Sequence, residues 1–263
     1  MQFYDTGNFL EITAFAEKLA DLAAPVALRY FRQKLVIESK ADASPVTIAD
    51  REIEAAIRER IRERFPDHGL FGEEHGLDKA DAERVWVIDP IDGTKSFITG
   101  MPTFGTLIAF LEGGVPKVGI VDHPALRERW VGRPGDVTRY NGQPCSTSGR
   151  TSLAESILYA TTPDIFTGQD RDCFESISKR VALRRFGGDC YAYALLASGH
   201  IDVMAEVGLQ PYDYLSLVPV IQGAGGVITD WSGQALGLNS DGRVVAAATP
   251  ALHREALAAL NAA

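Results

Sequence analysis

Apolar residues recur along this chain at two different periods, and the switching between them outlines its elements. Near the start Leu10, Phe15, Leu19 and Leu22 fall at helical spacings. A second helix is predicted after Pro45. Thr47 stands as its N-cap, with Asp50 three residues on in a capping-box arrangement. Ile53, Ile57, Ile61 and Phe65 then recur every four residues until Pro66 ends the pattern. Residues 67–81, rich in Gly and acids, read as a loop. Residues 85–88 read as a short buried strand. Strands over 106–111 and 115–121 flank Glu112-Gly113-Gly114, a hairpin signal.

Residues 132–149 are rich in Gly, Pro, Ser and Thr and mark the expected join between two halves, 1–135 and 136–263, packed as one compact unit. The second half alternates regularly. Strands are predicted over 156–160, 181–186, 201–207, 226–229 and 244–248. Helices are predicted over 172–179, 190–197 and 213–222, and Pro250 opens a last one. No repeat or low-complexity tract interrupts this order. The pattern fits α/β layers with mixed sheets: an α+β first half and an α/β second half.

Composition narrows the partners. The 263 residues are 46% hydrophobic, enough for a sizeable core, and the formal net charge is −9. That balance disfavours general binding to nucleic acid or an anionic membrane. Cys145, Cys173 and Cys190 form no CxxC pair and read as free thiols of a reducing compartment. Charges interrupt the N-terminus at Asp5, Glu11, Glu17, Lys18 and Asp21, and no apolar run approaches the roughly 18–20 residues of a membrane span. A soluble, cytoplasmic protein is expected.

The chemistry concentrates in Trp86-Val87-Ile88-Asp89-Pro90-Ile91-Asp92-Gly93-Thr94. An apolar strand runs into Asp89, and Pro90, which cannot donate a ladder hydrogen bond, is expected to stop it. Asp89 and Asp92 then share a tight turn, with Gly93 free to take positive φ. Amides near Gly93 and Thr94 could face an anion. Two carboxylates at a strand end suit a hard cation such as Mg²⁺, whose ligand set substrate phosphate often completes. Taken singly, the other acids are bland. Glu73-Glu74 reads as a solvated pair, Asp50 as a cap, and Asp213, after Pro211-Tyr212, as a helix N-cap. His68, His75, His123, His200 and His253 form no close-spaced pair.

Together these segments resemble the inositol monophosphatase family of Mg²⁺-dependent phosphatases. The resemblance is carried by Gly72-Glu73-Glu74, by residues 86–97, by Tyr212-Asp213-Tyr214 and by Gly223-Ala224-Gly225-Gly226, in matching order over nearly the whole chain. Tyr212 stands where the family often has Trp, Leu215 where it has a small residue, and Thr94-Lys95-Ser96 where many members have Thr-Asn. Residues 92–100, Pro102-Thr103-Phe104-Gly105-Thr106, Gly187-Gly188-Asp189-Cys190-Tyr191 and Leu209-Gln210-Pro211-Tyr212-Asp213 are similar to the histidinol-phosphate phosphatase branch.

The resemblance implies an αβαβα sandwich, a homodimer, and hydrolysis of L-histidinol phosphate in histidine biosynthesis. Inositol 1-phosphate or another sugar phosphate is the alternative substrate, and a non-catalytic RNA- or protein-binding member the alternative class. By position it implies one Mg²⁺ on Glu73, Asp89 and the Ile91 carbonyl, and a second on Asp89, Asp92 and Asp213. A third would rest on Glu73 and waters. Thr94 would orient the attacking water with Asp50 as its acidic partner, and amides at Gly93 and Thr94 would hold phosphate. Asp189 and Glu206 are the candidates for a substrate ammonium or imidazole. Asp189 could instead cap a helix, and Glu206 could be an exposed strand-end carboxylate. Lys95 could neutralise charge beside the phosphate loop or be solvated, and Lys40 could anchor a loop.

Overall fold

The computed structural model describes residues 6–34, 38–39, 45–46, 48–79 and 81–262. Lys40 and the N-cap reading of Thr47 lie outside them. The chain opens with helix α1 (Thr6–Tyr30), a two-stranded ribbon of β1 (Glu38–Ser39) and β2 (Pro45–Val46), and helix α2 (Ile48–Arg64). An eight-stranded sheet follows, built from β3 (Gly69–Gly72), β4 (Gly76–Asp78), β5 (Arg84–Asp92), β6 (Gly105–Glu112), β7 (Val115–His123), β8 (Glu128–Gly132), β9 (Arg139–Tyr140) and β10 (Gln143–Pro144). Short helix α3 (Thr94–Thr99) sits between β5 and β6. The spatial order is β10-β9-β8-β7-β6-β5-β3-β4, and β3 and β5 are its parallel pair.

A five-stranded mixed sheet takes up the rest, in the order β12-β11-β13-β15-β14. Its strands and helices alternate as β11 (Ile157–Ala160), α4 (Gly168–Ser178), β12 (Leu183–Phe186), α5 (Asp189–Ala197), β13 (Val203–Glu206), α6 (Pro211–Tyr214), α7 (Leu217–Gly223), β14 (Val227–Asp230), β15 (Val244–Ala247) and α8 (Pro250–Leu260). The chain passes from one sheet to the other between Pro144 and Ile157, so β9 and β10 extend the first sheet beyond residue 135.

Alternation along β5 explains the layers. Trp86 and Ile88 point to one face, where they pack with Ile53 and Ile57 of α2 and Leu19 of α1. Val85 and Val87 point to the other, into a core shared with Ala194 of α5, Val220 of α7 and Met204 and Ala246 of the second sheet. The second sheet's opposite face, with Val203, Ala205 and Val245, meets Phe174 of α4 and Leu252 and Ala256 of α8. Helices therefore cover both faces of both sheets, which gives the αβαβα sandwich. A strand buried on both faces reads as a continuous apolar run, as 85–88 does.

Several expectations shift. In α1 the buried stripe is Phe9, Ile12, Ala16, Leu19, Ala20, Ala23 and Ala27, while Leu10 is 52% exposed. Small alanines let the helix lie close, a face that counting large residues misses. Residues 67–81 carry the β3–β4 hairpin, because backbone pairing with β5 outweighs their loop-like composition. The helix expected over 213–222 is two helices, α6 and α7. Pro90 does not end β5, which continues to Asp92 through an irregular register. Among the described residues no helix is long and apolar enough to cross a membrane.

His123, at the end of β7, is fully buried; its Nδ1 lies 2.9 Å from the Phe104 carbonyl, and its ring meets Trp130 and Tyr191 edge-on. Burial pushes its pKa down from 6.5 to about 4. The unfolded chain therefore binds this proton more tightly. The stability tied to neutral His123 is complete above pH 6.5 and is lost as pH falls toward 4, with a ceiling of about 3 kcal/mol. In His123→Asn, urea unfolding midpoints measured from pH 7 to pH 4 are expected to fall less steeply than in the wild type. Equal slopes would remove His123 as a source of acid sensitivity.

Candidate active site

Residues three apart on a regular strand point to opposite faces, so Asp89 and Asp92 should diverge. They converge because β5 carries an extra residue. Asp89 pairs with Leu107 and Asp92 with Gly105, three steps on one strand against two on the other. Pro90 sits inside this bulge, where its missing N–H costs nothing, and its carbonyl accepts from Thr106 Oγ1 at 2.9 Å. The Ile91 N–H donates to Asp89 Oδ1 at 3.0 Å and steadies the turned carboxylate.

Asp213 arrives from the other sheet's side. Its helix α6 is capped by Gln210, and Asp213 holds the third helical position, with Oδ2 accepting from the Gln210 N–H at 2.7 Å. The N-cap reading of Asp213 is thus corrected: Pro211 takes the first helical position, which moves the cap back to Gln210. Asp89, Asp92 and Asp213 each bring a carboxylate oxygen into a group lying within 4.8 Å.

Glu73 follows directly on β3, parallel to β5, and its N–H donates to the Ile88 carbonyl at 3.3 Å. It lies outside the tight triad, yet its charge is felt at both Asp89 and Asp213. Asp50 is buried on α2 and adds to the field at Asp89.

The field is strongly negative. Burial first, and then the charges of Glu73, Asp92, Asp213 and Asp50, hold the Asp89 carboxyl well above the usual carboxylate range. Asp92 is raised by burial and by Asp189 and Asp213, although the Cys190 N–H donates to its Oδ2 at 2.8 Å. Asp213 is raised as well, chiefly by burial. All the donors are oxygen, and a divalent cation would relieve burial and repulsion together, so this set fits a hard metal ion.

Beside the triad, Gly93 adopts φ 77° and opens α3. A Cβ there would come within 2.7 Å of Asp189 Oδ2, so this turn needs glycine for both conformation and space. Thr94 Oγ1 donates to the Ile91 carbonyl at 3.2 Å. Lys95 is exposed, and its charge acts on Asp189.

Asp189 is the first residue of α5, and Gly188 is the cap. Its φ of 47° is a strained, left-handed backbone for a residue with a side chain, the kind of strain that collects at functional sites. Ser96 Oγ donates to Asp189 Oδ2 at 2.6 Å. Glu206 is buried rather than exposed; it accepts from the Thr161 N–H at 2.7 Å and the Tyr193 hydroxyl at 3.0 Å. A cavity of about 190 Å³ joins these groups, with Asp92, Asp213, Asp189, Glu206 and Tyr193 in its wall.

Ser96, Thr161 and Tyr193 were not singled out by sequence reasoning. Tyr193 had a signal, since it lies one helical turn after Asp189. Thr161 acts through its backbone and left none.

Two carboxylates of the triad line a small cavity in an αβαβα sandwich, and comparisons with known proteins give this arrangement its class, a phosphoric monoester hydrolase. The inositol monophosphatase family pattern matches residues 9–263, and the chain belongs to that family. It is 46% identical over 257 residues to the bifunctional phosphatase IMPL2 (chloroplastic) of Arabidopsis thaliana, covering 94% of this chain and 74% of that one. It is 35% identical to a histidinol-phosphatase of Chlorobaculum parvum, covering 94% of this chain and 95% of the relative. A solved inositol monophosphatase from Zymomonas mobilis superposes with a TM-score of 0.89 at 42% identity, covering 96% of this chain and 98% of that one.

A carboxyl with a raised native pKa binds its proton more tightly when folded, so the metal-free protein loses stability as pH rises through that range. At pH 8, Asp92→Asn is expected to raise the metal-free Tm by about 2–4 °C, the equivalent of roughly 1 kcal/mol of relieved repulsion. The variant should also lose the Tm increase that a divalent cation gives the wild type. Calorimetric scans with and without cation check both; a lower metal-free Tm would contradict the repulsion.

Proposed function

We propose that this chain hydrolyses L-histidinol phosphate to L-histidinol and inorganic phosphate with Mg²⁺, a step in histidine biosynthesis. The observation that carries the reading is the shared cavity. Asp92 and Asp213, two carboxylates of the triad, line it and suit metal and phosphate, and Asp189 and Glu206 present carboxylates to the remainder of the substrate. Histidinol phosphate carries an ammonium and an imidazole, both matched by acids. Relatives named histidinol-phosphatase, at 35% and 36% identity over nearly the full length of each, support the same substrate.

In this reading Asp89, Asp92 and Asp213, with Glu73 and the Ile91 carbonyl, hold the metal. Bound Mg²⁺ would lower the pKa of water and stabilise charge on the phosphoryl oxygens. The protein's own part is orientation. Thr94 and Asp50 align the attacking water in line with the ester oxygen. Amides at Gly93 and Thr94 hold phosphate oxygens. The water oxygen bonds to phosphorus as the ester P–O bond breaks, and the proton the water gives up ends on the leaving alkoxide, so that alcohol and inorganic phosphate are released. No covalent enzyme intermediate is required, so no Cys, Ser or His acts as nucleophile.

Inositol 1-phosphate is the second reading, favoured by the likeness to the Zymomonas mobilis protein. Phosphate release from the two esters, side by side with Mg²⁺, separates them. Histidinol phosphate is expected to win in kcat/KM by at least about 100-fold, a floor well below the roughly 10⁴-fold by which a site built for polar groups rejects a ligand that leaves them unpaired. Asp189→Asn should raise KM for histidinol phosphate about 10-fold and leave inositol 1-phosphate nearly unchanged. Preference for inositol 1-phosphate would overturn the substrate and leave the metal site standing.

A further inference from the structure

We infer that Glu54 is a positioning residue that fixes the Glu73 turn against the repulsion of the carboxylate cluster. The inference rests on reading Glu73 as a metal ligand. Strand β3 and edge strand β4 pair Gly72 with Gly76, leaving Glu73, Glu74 and His75 as the turn between them. That turn carries Glu73 into the field of Asp89 and Asp213, where like charge pushes it outward. The hairpin alone offers little resistance, because β4 is short and, among the described residues, pairs on one side only.

Glu54 supplies the resistance from below. It is fully buried on α2, one helical turn after Asp50. Its Oε2 accepts from the Glu74 N–H at 2.6 Å and its Oε1 from the His75 N–H at 3.2 Å. One carboxylate thus grips two successive amides of the turn. A Cβ on Gly72 would overlap the Glu54 carboxylate, so the glycine preceding Glu73 is required by the closeness of this grip.

A second buried acid beneath an acidic cluster would ordinarily add to the repulsion. Arg58, one turn further along α2, prevents this. Its Nε donates to Glu54 Oε1 at 2.7 Å, and its guanidinium also donates to the Gly76 carbonyl at the far end of the turn. Both ends of the turn are therefore tied to one helix, through a pair that carries no net charge. Asp50, Glu54 and Arg58 each lie one helical turn apart, so the helix that brings Asp50 to the site also sets the position of Glu73.

The test is the Mg²⁺ affinity of the whole protein by titration calorimetry, beside kcat and KM at saturating Mg²⁺. Glu54→Gln, which loses an acceptor oxygen, and Gly72→Ala, which displaces the carboxylate from the other side, are each expected to weaken Mg²⁺ binding about 10- to 100-fold, the range for groups that support metal ligands. KM for the phosphate ester should stay within about twofold. Glu59→Gln, the same charge change on the exposed face of α2, should bind Mg²⁺ as the wild type does. Wild-type affinity in both Glu54→Gln and Gly72→Ala would overturn the inference. Glu73→Gln separates it from the reading it rests on: if that variant also binds normally, Glu73 is no ligand and the reading itself fails. Should the α2 variants not fold, amide exchange in the metal-free wild type decides. Protected Glu74 and His75 N–H groups support the grip, and free exchange at both overturns it.

Discussion

Like charge held at short range is the constraint on which the rest of this structure depends. Asp89, Asp92 and Asp213 bring oxygens within 4.8 Å of one another, and Glu73, Asp50 and Asp189 add to the same field. Such a group flies apart unless each member is held from behind. The holding groups are neutral donors: the Ile91 amide for Asp89, the Cys190 amide for Asp92, the Gln210 amide for Asp213 and the Ser96 hydroxyl for Asp189. A neutral donor fixes a carboxylate without cancelling its charge, which stays available to a cation. Asp136 illustrates the opposite arrangement. Arg139 and Arg133 grip it and hold its carboxyl down at about 2, and it has no part in the cavity.

Those donors can be placed accurately because they sit on packed elements. Asp89 and Asp92 come from a strand whose neighbouring side chains are buried on both faces. Asp213 and Asp189 come from the short helices α6 and α5, and Glu206 from strand β13 of the second sheet. Rigid strands and helices hold a constellation more tightly than loops do. The site lies where the first sheet, the middle helices and the second sheet meet, so small errors of docking would be felt there first.

Much of this could be read from the residues. Apolar runs gave the central strands, and four-residue recurrence gave α2. The Asp89-Pro90-Ile91-Asp92-Gly93-Thr94 string located the end of β5 where the carboxylates cluster. What stayed hidden was three-dimensional in origin. The bulge that turns Asp89 and Asp92 to one side exists because β6 pairs across it, and nothing in the spacing of two aspartates announces that. The β3–β4 hairpin owes its strands to pairing with β5, although its own residues resemble a loop. Glu54 and Arg58 follow directly after Ile53 and Ile57, at the border of the buried stripe, where a charged residue usually reaches solvent. Only the packed turn above them makes their burial favourable.

The residues that gather around the cavity are far apart along the chain, from Asp50 on α2 through Asp89 on β5 to Asp213 on α6. Their meeting is among the non-local contacts that chains form slowly. A partly folded chain with only its first sheet assembled possesses Asp89 and Asp92 but lacks Asp213, Asp189 and Glu206. A cation would therefore have little to hold in such a chain and much to hold in the finished molecule. Because a ligand that prefers the native state shifts the balance by mass action, a cation bound by this set would act as a late clamp on maturation, favouring chains whose two sheets have closed on the middle helices.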